Sequence, residues 1–122
     1  MERDFKLTHE VERRTYWLIR SYPKLVAEYE ALLWASPKQD GQPKGTATSD
    51  PTELTVEKTE KVKAKIDAIR RGLSKIPEEY RDGCLRKITE SADYPVYADV
   101  STWNRWLRRF KWYVAREMGD VW

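Results

Sequence analysis

From Leu7 onward, apolar residues recur at helical spacing: Val11, Leu18, Ile19, Tyr22, Val26, Tyr29 and Leu33 are separated mostly by three or four positions. The pattern predicts helix from Leu7 to Trp34, interrupted at Pro23, because proline removes a backbone donor and disfavours a helical residue before it. Ser21 is a candidate cap for the second half, so this part reads as a helical hairpin or bent arm. Residues 36–50, SPKQDGQPKGTATSD, carry no large apolar side chain and predict a flexible linker, since nothing in them offsets the entropy of being fixed. The chain thus divides into an N-terminal helical arm (1–35), a linker (36–50) and a helical C-terminal domain (51–122).

The C-terminal part begins with SDPTE, in which Asp50 can cap a helix, Pro51 suits its first position and Glu53 favours its positive end. Val62, Ile66, Ile69, Leu73 and Ile76 then mark one narrow apolar seam on an otherwise charged helix. Such a seam serves either as a homo-oligomer contact, through Val62, Ile66, Ile69 and Leu73, or as the side that docks onto the final helices of the same chain. Docking is favoured, because the repeat is short for a free coiled coil. Gly72 weakens the helix end and Pro77 restarts a helix in IPEEYRDGCLRKITES, with Tyr80, Cys84, Leu85 and Ile88 as its buried stripe. In ADYPVYADV the periodicity fails, and Pro95 leaves room for about one helical turn. Ser101 or Thr102 is expected to cap a final helix over 101–119. Strand-like alternation and internal repeats are both absent from the sequence, so the fold class is all-α, with the last three helices forming a helix-turn-helix-like unit.

The final helix, STWNRWLRRFKWYVAREMG, is the most informative segment. Projected at the helical angle, Trp103, Leu107, Phe110, Val114 and Met118 fall in one sector, flanked by Trp106 and Tyr113, and are expected to pack inward. Arg105, Arg108, Arg109 and Arg116 lie opposite, with Asn104 and Lys111 at the margins and Trp112 in the middle of the basic face. A tryptophan between arginines can be covered by another element or by the tail at Val121 and Trp122, or can stack on a ligand; cover is favoured. The face lacks the acidic partners of a salt-bridge ladder, and uncompensated cations suit phosphate.

Composition narrows the function. Net charge is +3, and the final helix, with five basic residues against Glu117 alone, more than accounts for it. Single copies of Cys84 and His9 exclude an intrachain disulfide and leave a zinc site or histidine triad without partners; a buried thiol and a solvated imidazole are the expected states. Phosphate loops, nucleophile elbows and metal-ligand spacings do not occur, so no catalytic residue, metal or cofactor is nominated, and an enzyme is not expected. The sequence also holds no apolar run of membrane-spanning length and no signal-peptide pattern, which makes a cytoplasmic location the expectation.

With its long charged helix, the helix opening IPEEYR and the final STWNRWLRRFKWYVAREMG, the chain resembles the RinA and ArpU type of small phage transcriptional regulator. Those proteins look like a sigma-factor region-4 helix-turn-helix preceded by helices. The resemblance implies activation of late or packaging genes by promoter binding, with RNA polymerase as a candidate further partner. It makes the last helix the reader, with Ser101, Thr102, Trp103, Arg105 and Trp106 as the motif-bearing positions and Arg108, Arg109 and Phe110 continuing the helix. Taken with the basic face, the expected duplex-DNA contacts are Ser101, Thr102, Asn104, Arg105, Arg108, Arg109, Lys111 and Trp112. The sequence departs from a standard helix-turn-helix in placing YPVYADV where a scaffold helix precedes the turn. The competing expectation is a structural or interaction module of a phage or mobile element, assembled through its helical seams.

Overall fold

Thr8 starts the first helix, α1 (His9–Arg20): its side-chain oxygen accepts the Val11 N–H at 3.3 Å, and Glu10 and Glu12 lie in the first turn where the helix dipole favours acids. The computed structural model of the chain describes residues 5–35 and 51–120. Among them are five helices and no strand: α1, α2 (Tyr22–Ala35), α3 (Pro51–Ser74), α4 (Glu78–Thr89) and α5 (Val100–Glu117). The expected linker, and Asp50 as a cap, lie outside the described residues.

The break near Pro23 occurs as expected, but Ser21 acts in the opposite direction to that anticipated. Its hydroxyl donates back to the carbonyls of Trp17 and Leu18, closing α1, while only its backbone carbonyl receives Leu25 N–H of α2. Arg81, on α4, donates to the carbonyls of Ile76 and Ser74 and so satisfies the end of α3, whose last carbonyls lack helical partners. At the end of α4, Ser91 takes a left-handed φ of +55°, and Arg20 of α1 donates to Ile88 O at 3.0 Å and to Ser91 Oγ at 3.2 Å. A side chain of the first helix therefore finishes the fourth.

The core is shared by all five helices. Ile19 of α1, Leu25 of α2, Val62, Ile66 and Ile69 of α3, Cys84 and Ile88 of α4, and Trp103, Phe110 and Val114 of α5 form one buried cluster. The segment read as an arm thus contributes to the same core as the C-terminal unit. The seam on α3 is inside this cluster, with Leu73 half-buried beside it, so it docks within the chain as favoured: α3 packs on α2 and α5, and Val62, Ile66, Ile69 and Leu73 are not left open for the alternative oligomer contact. Gly72 permits the closest approach of α3 to α5, since a Cβ there would lie 2.6 Å from Val114 Cγ2. No described helix is long and apolar enough to cross a membrane.

Candidate nucleic-acid interface on the final helix

The two halves of α5 have different surroundings. Its C-terminal half is the more buried: Phe110, Trp112, Val114 and Ala115 are buried, Lys111 and Tyr113 are half-buried and Arg116 is exposed, with Phe5 of the N-terminal segment against Trp112 and Val114 against Gly72 of α3. Its N-terminal half is held by α4 and residues 90–99 through Trp103 and Trp106, and Ser101, Asn104, Arg105 and Arg108 are exposed. These four fall on one stripe running about two helical turns.

Trp112 is covered, as favoured from the sequence, which removes it from the expected DNA contacts. It has the angular position of the basic stripe, yet it is 6% exposed, because Phe5 stands edge-on to it at 5.3 Å between ring centroids and the Arg116 guanidinium lies 5.6 Å from its ring. Burying a ring of this size is favourable on the order of 4 kcal/mol, which explains why the N-terminal segment is held down. Phe5 itself has a left-handed φ of +50°, a strain that its contacts to Trp112, Tyr113 and Arg109 offset. The cover is therefore Phe5, whereas Val121 and Trp122 lie outside the described residues.

Two further members of the expected interface are tied inward. Lys111 donates to Glu12 Oε2 at 2.8 Å and is largely covered, so its charge is spent within the protein. That hydrogen bond, followed by the ammonium charge itself, holds the Glu12 carboxyl below its usual range. Arg109 lies between two rings, 4.6 Å from Phe5 and 5.1 Å from Trp106. By contrast, Arg105 and Arg108 make no ion pair among the described residues. Thr102 is half-buried on the margin of the stripe.

What holds the exposed half in place is an aromatic socket. Trp103 is fully buried, stacked on Tyr94 at 5.4 Å and 10°, edge-on to Tyr80 at 5.0 Å, with Nε1 donating to Pro95 O at 3.1 Å. Trp106 stacks on the other side of Tyr80 at 5.7 Å. Trp103 is in the core and Trp106 packs half-buried against it, as their helical spacing indicated. Met118, expected to face inward, is instead 38% exposed at the end of α5.

Residues 90–99 contain a turn rather than the single helical turn anticipated, and the residue before α5 is Asp99, so Ser101 and Thr102 lie inside the helix and do not cap it. Neighbouring aromatics fix the connection: Tyr97 donates to Glu79 O, and Tyr94 donates to Asn104 Oδ1 at 2.8 Å. With that oxygen engaged, Asn104 presents its NH2 donors outward. Support for α5 comes from α4, where Gly83 lets the Trp103 ring lie against the helix backbone.

Sequence reasoning did not find Phe5, Lys6, Leu7 or Glu12, although these residues line the same cleft as Asn104, Leu107, Arg108 and Lys111. The signal available was indirect: an apolar ring in the centre of a basic face needs a cover, but nothing in the local pattern names a residue at the far end of the chain. Among the described residues no cluster of His, Cys, Asp and Glu could hold a metal ion. Comparison with protein-family models, curated proteins and solved structures gives no match.

Proposed function

We propose that this chain binds duplex DNA with the N-terminal half of α5 entering the major groove. The observation that carries the reading is the exposed stripe of Asn104, Arg105 and Arg108 on the N-terminal half of α5, whose arginines make no ion pair among the described residues. An α-helix is about as wide as the major groove, and arginine and asparagine are the residue types that reach base edges there. The Trp103 socket gives the stripe a fixed orientation, which base readout requires. A regulator role of the RinA and ArpU type, with polymerase as a further partner, rests on the sequence likeness between Ile76 and Gly119. Assembly through the α3 seam is disfavoured, because those side chains are already buried within the chain.

The test is selection of bound sequences from a random duplex pool, followed by anisotropy titrations across a salt series. Enrichment of one motif is expected, with affinity falling steeply as salt rises, because each phosphate contact releases counterions. Arg105→Ala and Arg108→Ala are each expected to cost roughly 1–3 kcal/mol where they read a base, or to lower the salt slope by about one where they hold a phosphate. Failure of the wild-type chain to retain any duplex at about 50 mM salt would overturn the reading.

A further inference from the structure

A cleft of about 440 Å³ opens where residues 5–7 cross the wall of α5. Resting on the DNA-binding reading, we propose that this cleft seats a backbone phosphate of the bound duplex between Lys6 and Arg108, so that the N-terminal segment forms a second contact with the DNA.

Three observations carry the inference. The first is charge. Of the described groups lining the cleft, Glu12 and Lys111 neutralise each other at 2.8 Å, which leaves Lys6 and Arg108 as two cations without an opposing acid among the described residues of its lining. The apolar walls, Phe5, Leu7 and Leu107, lower the local dielectric and strengthen the attraction for an anion. The second is position. Asn104 and Arg108, one turn apart on α5, belong both to the exposed stripe and to the cleft wall, so an occupant of the cleft borders whatever the stripe touches. When a helix fills a major groove, its tip and outer stripe face base edges, and its flanks face the sugar–phosphate rails. The cleft is on such a flank. The third is permanence. Phe5 locks the segment onto Trp112, Tyr113 and Arg109, so Lys6 is carried on an anchored backbone.

Lys6 is exposed, and its replacement leaves the Phe5 anchor intact. Lys6→Ala should weaken binding by about fivefold near 0.15 M salt, equally for preferred and random duplexes, and lower the salt slope by about one. Lys6→Arg should restore both. Lys63→Ala, which removes an exposed charge from α3 and lies outside the cleft, is the control and should change neither quantity. If the wild-type chain binds duplex while Lys6→Ala behaves as Lys63→Ala does, the cleft inference is overturned and the stripe reading survives. If the wild-type chain binds no duplex, both fall. A titration with inorganic phosphate, followed by amide NMR shifts, separates the remaining source. Saturable shifts at Lys6, Asn104 and Arg108 without duplex binding would overturn the DNA assignment in favour of free phosphate.

Discussion

Gly83→Ala sets helix propensity against packing, and the two forces have opposite signs. In the interior of α4, alanine favours the helix by about 1 kcal/mol over glycine, so propensity alone predicts a more stable protein. A Cβ at this position, however, would lie 2.5 Å from Trp103 Cζ3, 2.6 Å from Cη2 and 3.1 Å from Pro95 Cδ. Carbon atoms in contact sit near 3.5–4.0 Å, so the ring would have to retreat by about 1 Å. It has nowhere to go: Tyr94 stacks on it, Tyr80 meets it edge-on, and its Nε1 donates to Pro95 O. Overpacking costs roughly 1–3 kcal/mol and a strained or broken hydrogen bond about 1 kcal/mol more, which together exceed the propensity gain. The expected net loss is about 1–3 kcal/mol, or a fall in Tm of roughly 4–12 °C for a chain of this size. Urea and thermal unfolding measure the loss, and near-UV circular dichroism reports the displaced indole. A Gly83→Ala protein as stable as the parent would refute the rigid socket. In duplex binding the same variant should lose preference among sequences more than overall affinity, because the socket sets the angle of the stripe while the charges remain.

Ile69→Ala should lower stability by about 2–5 kcal/mol, with a Tm independent of protein concentration, since Ile69 is fully buried within one chain; a concentration-dependent Tm would restore the oligomer seam. The Glu12 carboxyl titrates below its ordinary 4.5 in the folded chain, so its pairing with Lys111 contributes stability above that pH and loses it as pH falls through the folded value. Glu12→Gln should therefore be less stable than the parent at neutral pH, by under about 1 kcal/mol because Glu12 is half-exposed, and the difference should shrink as pH falls below 4.5 and vanish once it has passed through the lower folded value; a gap that does not shrink on acidification would refute it. Burial pushes the Cys84 thiol up to about 12, so at pH 8 it should resist iodoacetamide until the protein opens, and rapid alkylation of the native chain would contradict its position in the core.

Much of the architecture was legible because helical periodicity is a local signal. The α3 seam, the restart at Pro77, the break before Pro23 and the inward Trp103 and Phe110 all follow from spacing and proline chemistry. The candidate interface was legible for the N-terminal half of α5 alone. Helical projection assumes one buried side along a helix's whole length, whereas beyond Arg109 the buried positions of α5 widen to take in Trp112 and Ala115 while Arg116 stays exposed. Cover for Trp112 is therefore expected without its source, and Trp112 and Lys111 still fall among the expected DNA contacts, whereas Phe5 covers the one and Glu12 pairs with the other. No local pattern could supply those partners, because they come from the opposite end of the sequence. The caps failed for a related reason: the Ser21 hydroxyl could donate to the free carbonyls closing α1 or accept from the free N–H groups opening α2, and a sequence pattern does not decide between them.

The closure of the first helix and its preceding residues over the last carries a consequence for the order of folding. Phe5 on Trp112, Glu12 with Lys111 and Arg14 with Asp120 join residues separated by about the length of the chain, and such contacts can form only after the loop entropy between them has been lost. During synthesis α5 is the last described helix to emerge, so α1 must wait with its apolar face open while α2, α3 and α4 are made. Native contacts across α5 then form late and together. A chain arrested before Trp103 should remain protease-sensitive throughout, and release of the final helix should protect the first.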